Sequence, residues 1–443
     1  FKQKTAYEIR LSLVGSEMCI RDRLIMVDDL NDYNEDLNGH PQVITPNIKE
    51  FSKTATSFTN AYSNDPMCGP SRASMFTGVY PHISSHLWQY NWKNNEVLKN
   101  TKTIMEKFKE NDYNVIGSGK LLHQNEKSIW TEFEHEADYS PVDYIGEWKK
   151  GKPGIAHADV PKPYRVIKEL DGWNMAGGPI DGSYGPLINL EGIKVDGKKV
   201  RWAYGPQRQG KDFRYIDDNN RDLTPDEINA KWAEKRLLEL ANSDDENPFF
   251  MAVGFLRPHT PLIVPQKYFD MYPLDSIKLA NILENDKDDT FLHLVDQFET
   301  KGRRVRSIEM YKNLVASYDD NKEGLKRFTQ AYLACVTAVD ENIGQVLDVV
   351  NKTKLKENTI VIIASDHGWT MGEKEHVYKN SLWEESTRVP LIIRAPGVSK
   401  PNTKVNHPVS LIDVYPTLLD LAGLDYITTV SYTHLRAHET KAN

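Results

Sequence analysis

TIVIIASDHG, residues 359–368, is an apolar run that breaks directly into a serine, an aspartate, a histidine and a glycine. Six consecutive apolar or β-branched residues bounded by turn formers read as a strand buried on both faces, the kind found inside parallel sheets. Three shorter runs read the same way: LIMV (24–27), FFMAV (249–253) and LII (391–393). Helical patterns lie between them. The clearest opens at Thr224-Pro225-Asp226-Glu227, a capping box with proline at the first helical position, followed by Ala230, Ala233, Leu237 and Leu240. Further helices are predicted over about 328–349 and 411–421. Strands alternating with helices predict an α/β fold, with a largely parallel central sheet flanked by helices. Ligands in such sheets gather beyond the carboxyl ends of strands. Two runs end there in acids: LIMV runs into Asp28-Asp29, and TIVIIA-Ser into Asp366-His367-Gly368. A single Asp pair after a strand is most often a cap or turn. Two acidic ends gathered at one sheet edge need a cation, Ca²⁺ or Mg²⁺ for oxygen ligands, with Mn²⁺ or Zn²⁺ admitted by a histidine.

The chain has 443 residues, 39% hydrophobic and 27% charged, enough for a well-buried core. A net charge of −8 with no basic stripe excludes a nucleic-acid binder, and no apolar run approaches a membrane span. Three cysteines cannot build a disulfide framework. Residues 1–23 and 430–443 show no capping or turn logic and resemble translated adaptor read-through. They are set aside as non-native, leaving 24–429 as one catalytic domain and no signal peptide within the sequence. Arg21-Asp22-Arg23 stands where a first strand would carry apolar residues. The segment 135–222, rich in Gly, Pro, Asp and aromatics, is too irregular for core and reads as an excursion that shapes a binding face.

DPMCGPSRASMFTG (65–78) places a cysteine in front of a short helix, with Pro70 suited to its first turn and Gly78 to its C-terminal stop. Cys68 would lie at the helix N-terminus, where free N–H groups favour an anion, and Arg72 on the same face could grip that anion. A buried structural cysteine is the plainer reading. A thiolate phosphatase would need five residues between Cys and Arg, and here there are three.

Cys68-Gly69-Pro70-Ser71-Arg72 followed by Met75-Phe76-Thr77-Gly78 resembles the signature of type I sulfatases, whose cysteine is oxidised after translation to formylglycine. The resemblance spans about 24–427 and keeps the family's motif order. Gly119-Lys120-Leu121-Leu122-His123, Arg257-Pro258-His259-Thr260-Pro261 and QKYFDMYPLDSI are similar to the iduronate-2-sulfatase-like branch. It implies an alkaline-phosphatase-like fold with a smaller C-terminal subdomain, expected to be truncated here. It implies that Asp28, Asp29, Asp366 and His367, with modified Cys68, hold one divalent cation, usually Ca²⁺. One hydroxyl of the aldehyde hydrate would attack sulfur and expel the sugar oxygen. The second, deprotonated by His123, would expel sulfate from the covalent ester. Arg72, Lys120 and Lys379 would balance charge on the sulfate oxygens, and His259 or Lys379 would protonate the leaving alcohol. Lys379 is preferred to Lys374 from its place before Asn380-Ser381-Leu382-Trp383. Lys120 also reads as a solvated loop lysine and His259 as a packed structural histidine. Arg257 and Arg388 read as partners of surface acids before substrate contacts.

The resemblance implies hydrolysis of a sulfate ester on a carbohydrate. The partners are a sulfated carbohydrate and a formylglycine-generating or anaerobic sulfatase-maturing enzyme, and the native protein would be periplasmic or secreted. The rival functions are a phosphonate monoester or phosphodiester hydrolase of the same superfamily, and a non-catalytic glycan-binding relic.

Overall fold

Each of the four apolar runs becomes a strand, and each strand overruns its run. The computed structural model describes residues 21–145, 184–192, 194–195, 198–205, 210–243, 247–290, 306–316, 318 and 320–425. In chain order its main sheet holds β1 (Arg21–Asp28), β2 (Thr56–Phe58), β3 (Asn114–Gly119), β4 (Glu132–Phe133), β5 (Phe249–Pro258), β6 (Thr359–Ser365), β7 (Leu391–Arg394) and β8 (Thr403–Val405). Across the sheet the order is β8-β2-β7-β6-β1-β5-β3-β4. The run from β6 through β1, β5 and β3 to β4 is parallel throughout. β7 is antiparallel to β6 and β2, and β8 returns parallel to β2. The sheet is therefore mixed, and its parallel half carries the acidic strand ends.

The helices that matter are α1 (Cys68–Thr77), α2 (Pro225–Asn242), α3 (Asn321–Lys352) and α4 (Val414–Leu421). Both halves of the Thr224 capping box form. α3 is longer than its predicted span, and α4 is preceded by a tighter turn over Leu411–Asp413. On one face of the sheet Ile25, Val27, Val253, Val361 and Ile363 pack with Ala233 and Leu237 of α2 and Phe328, Val339 and Val346 of α3. The opposite face sets Leu24, Met26, Phe250, Ile360 and Ile362 against Phe76 of α1 and Leu418 of α4. Each such Val, Leu, Ile, Met or Phe side chain contributes about 1.5–3 kcal/mol relative to exposure. Because β1 is covered on both faces, its stretch Leu24–Val27 is apolar without alternation, and LIMV supplies that.

Two expectations are revised. β1 begins at Arg21, inside the stretch set aside as non-native, so Asp22 and Arg23 are buried in the sheet's centre. Asp22 lies opposite Phe250 and Ile360, and Arg23 opposite Met251 and Val361. Within the 135–222 excursion, the described residues do form a small core: Leu187, Leu190, Trp202, Tyr204, Phe213 and Tyr215 close on Ile263. Antiparallel strands Val142–Ile145, Lys198–Ala203 and Asp212–Phe213 frame it. Residues 146–183, 193, 196–197 and 206–209 of the excursion, and the terminal stretches 1–20 and 426–443, lie outside the described residues. Among the described residues no helix is long and apolar enough to cross a membrane.

Candidate active site

Four adjacent parallel strands deliver four polar groups to one edge. β6 ends before Asp366-His367, β1 in Asp28-Asp29, β5 before His259 and β3 before Lys120. Local backbone geometry explains the small residues beside them. Gly119 has φ +85°, and a Cβ there would lie 2.0 Å from the Gly254 carbonyl oxygen. That close approach lets the Lys120 N–H donate to the same carbonyl at 3.2 Å. A Cβ on Gly368 would lie 2.0 Å from the Glu385 carbonyl oxygen. Asp29 is itself left-handed at φ 63°. Its N–H donates to Asp366 Oδ1 at 3.1 Å, and its carbonyl accepts from the Tyr332 hydroxyl at 2.6 Å.

Cys68 opens α1, and every residue of that helix is buried; Gly78 closes it in the left-handed conformation at φ 68°. The Ser71 hydroxyl ties the helix to the Asp366 carbonyl at 2.6 Å. One of the expected free N–H groups is taken, since Gly69 donates to Gln89 Oε1 at 3.0 Å. Around Cys68 Sγ stand Lys379 Nζ at 3.2 Å, His367 Nε2 at 3.2 Å and Lys120 Nζ at 3.6 Å. Lys379 also reaches Asp29 Oδ1 at 2.8 Å, and Lys120 pairs with Asp28.

Arg72 takes a place beneath this group, where its donors hold the acids. Nε donates to Asp366 Oδ2 at 2.7 Å, Nη2 to Asp28 Oδ1 at 3.1 Å, and Nη1 to the carbonyls of Leu121, at 2.8 Å, and Lys120. With that many donors engaged on protein acceptors, it braces two candidate metal ligands. His259 turns Nε2 toward Asp29 at 3.8 Å and Nδ1 toward the Thr260 carbonyl at 2.6 Å. His123 is half-buried, and its Nδ1 has no hydrogen-bond partner among the described residues. Lys374 pairs with Asp286 and Asp289 instead, which leaves Lys379 as the lysine of the site. Arg388 pairs with Asp32 and Glu384, as expected. Among the described residues Arg257 meets no surface acid. It is buried and donates to the carbonyls of Ser140, His259 and Ile263, each at 3.2 Å.

The electrostatics follow from burial. Burial alone would raise Asp28, but Lys120 and Arg72 outweigh it and hold the carboxyl well below the usual range. Burial pushes Asp29 up to about 8, with Lys379 opposing and the charge of Asp28 adding. Burial also raises the Cys68 thiol, so the group is not an activated thiolate and a thiol nucleophile is disfavoured. His123 is pushed down to about 3 by burial and by Lys120, and burial and Lys379 hold His259 well below its ordinary value.

Ligand atoms of Asp28, Cys68, Asp366 and His367 all lie within 4.8 Å of one another, and so do those of Asp28, Asp29, Cys68 and His259. His367 Nδ1 is 3.1 Å from the Gly368 carbonyl, which can only accept, so its hydrogen sits there and Nε2 offers a lone pair to the cluster. Carboxylates and one imidazole, buried and convergent, fit a hard divalent cation. Sequence reasoning missed Tyr332 and Gln89, which reach the site from distant segments without any motif. It named Ser71 and Ser365 only as letters within motifs, yet the Ser365 hydroxyl accepts from Leu30 N–H and donates to the His367 carbonyl, both at 2.9 Å.

A family model described as Sulfatase matches residues 24–424. A protein named as a sulfatase from Formosa agariphila is 31% identical, over 90% of this chain and 68% of its own length. The iduronate 2-sulfatase of Mus musculus is 28% identical, over 90% of this chain and 68% of its own. Among solved structures, a phosphonate monoester hydrolase from Silicibacter pomeroyi superposes with a TM-score of 0.59 at 21% identity, covering 91% of this chain and 73% of that one. That last likeness is one of fold.

Proposed function

Because the chain belongs to the sulfatase family, and is therefore a sulfuric ester hydrolase, we propose that it cleaves sulfate esters of carbohydrates with an aldehyde derived from Cys68. The observation that carries this reading is the surroundings of Cys68 Sγ: two ammoniums and an imidazole within 3.6 Å, on the rim of a carboxylate cluster. Such a pocket suits a compact anionic group next to a cation. A bare thiol there is buried and neutral, whereas the hydrate of an aldehyde offers one hydroxyl for attack and another for release.

Asp28, Asp29, Asp366 and His367, with residue 68, would hold a divalent cation, Ca²⁺ by the hardness of the donors. When bound it supplies Lewis-acid polarisation of the sulfate ester and lowers the pKa of the attacking hydroxyl. Arg72 keeps Asp28 and Asp366 in register. Lys120 and Lys379 provide positive charge for the sulfate oxygens, where developing charge is most costly. Of the two candidate acids, the contacts favour Lys379. The Nδ1 hydrogen of His259 is spent on the Thr260 carbonyl, and a neutral ring then presents Nε2 as an acceptor. His123, with Nδ1 unpartnered among the described residues, is the group we assign to take a proton from the second hydroxyl, and burial beside Lys120 makes its ring a weak base for that step. The carbohydrate assignment rests on the relative named as an iduronate 2-sulfatase, and export to the periplasm or medium follows from a polymeric substrate.

The test compares 4-nitrophenyl sulfate with a 4-nitrophenyl phosphonate monoester, using protein co-expressed with a formylglycine-generating enzyme. A higher kcat/KM for the sulfate is expected. A faster phosphonate reaction would move the assignment to the other branch of the superfamily, and no turnover of either would favour a binding protein.

A further inference from the structure

Tyr139 belongs to none of the motifs, yet its ring touches two groups of the site. Lys120 Nζ lies over the ring, 5.0 Å from its centroid. The ring meets that of His259 edge to face, with centroids 5.0 Å apart and planes at 69°. Its backbone is clamped from several directions. Asp138 Oδ1 accepts from the N–H groups of Ser140 and Gly205, both at 3.1 Å, and Arg257 Nη2 donates to the Ser140 carbonyl at 3.2 Å. Arg257 is anchored in turn, since the Asp226 carboxylate accepts from the N–H groups of Leu256 and Arg257 at 2.7 and 2.8 Å. The chain from the capped N-terminus of α2 to the end of β5 therefore fixes His259 and Tyr139 together.

We propose that Tyr139 is a positioning residue for Lys120, its ring holding the ammonium on the residue 68 side of the cleft. This rests on the sulfatase reading, in which Lys120 serves the sulfate group. A lysine side chain has four rotatable bonds, and Asp28 and Cys68 hold this one by its ammonium. A carboxylate in place of the ring would quench the charge that the substrate needs, and an aliphatic side chain would leave the ammonium without a favourable wall. An aromatic face attracts the cation electrostatically and leaves its charge intact. The Tyr139 hydroxyl also bonds Lys120; the positioning is assigned to the ring, and the Phe and Leu variants separate the two contributions.

The experiment uses the mature enzyme and 4-nitrophenyl sulfate, with melting curves confirming that each variant folds. Tyr139→Phe is expected to keep kcat within about twofold. Tyr139→Leu is expected to lower kcat by about 30-fold with KM changed less than about threefold, as a misplaced catalytic group does. In a Lys120→Met background, Tyr139→Leu should cost less than about threefold more, because its target is already gone. Three results would each overturn the proposal: Phe as damaging as Leu, a Leu effect confined to KM, or an undiminished Leu effect without Lys120. Crystal structures of the two variants give a readout that needs no turnover. Lys120 should stay on Asp28 and residue 68 in the Phe variant and leave them in the Leu variant. A Lys120 unmoved in both sinks the idea even where the wild-type protein fails to hydrolyse the sulfate, which is the separate failure of the sulfatase reading.

Discussion

Asp22 and Arg23 are the second and third residues of β1, both buried, and none of their side-chain polar atoms is hydrogen-bonded among the described residues. Burial raises Asp22 well above the carboxylate range, and burial with Arg394 nearby lowers Arg23 to about 9. Each lies opposite apolar residues of the flanking strands, and beyond the Arg23 guanidinium over the Phe249 ring, 5.8 Å from its centroid, the two lose hydration without gaining a hydrogen bond among the described residues. Replacing both, as Asp22→Val with Arg23→Ile, is expected to raise the melting midpoint by about 5 °C in calorimetry; an unchanged or lower midpoint would mean that the pair has partners. Glu373 makes a pH-dependent case. Burial pushes its carboxyl up to about 7, with Glu385 and Asp32 adding. Below about pH 4.5 it is protonated in folded and unfolded chains alike and carries no penalty. As pH rises to about 7 the unfolded chain ionises first, so its contribution to stability is lost over that window. Glu373→Gln keeps an acceptor for the Met371 N–H and removes the charge. The variant should melt about 3 °C above wild type at pH 8.5 and level with it at pH 5.

Strand ends and the glycines beside them build the site at the next scale. Gly119 is left-handed and in near contact with the Gly254 carbonyl, so Gly119→Ala is expected to separate β3 from β5 and displace Lys120. Activity should fall by at least about 100-fold, with a midpoint lowered by several degrees; an alanine variant retaining half of wild-type kcat would refute the close-approach argument. Much at this scale was readable in the sequence. TIVIIASDHG and LIMV followed by Asp28-Asp29 declared their strands and polar ends because a doubly covered strand favours a continuous apolar run up to its edge. Thr224-Pro225-Asp226-Glu227 declared α2 because capping is local chemistry. What stayed hidden depends on distant pairing. Arg21–Arg23 carry no strand signal and are drawn in by ladders to β5 and β6. The buried position of Arg257 arises only where carbonyls from 140, 259 and 263 converge. Arg72 was legible as a grip on an anion, whereas its bonds to Asp366 and Asp28 required the third dimension.

The whole molecule gathers Asp28, Asp29 and Asp366 at one buried edge and balances them with Arg72, Lys120 and Lys379. A cation that binds only this folded arrangement stabilises it by mass action. Adding Ca²⁺ at 1 mM (roughly 100 times an expected Kd) should raise the melting midpoint by about 5 °C, and chelation should abolish sulfate ester hydrolysis reversibly. An unresponsive midpoint would count against a metal at these ligands. The larger claim is that residue 68 acts as an aldehyde. It is tested most directly by preparing the protein with graded co-expression of a maturing enzyme. In each preparation the aldehyde fraction of residue 68 is measured by peptide mass spectrometry and set against kcat for 4-nitrophenyl sulfate. A line through the origin is the predicted result. Full activity from protein whose Cys68 is wholly an unmodified thiol would contradict it.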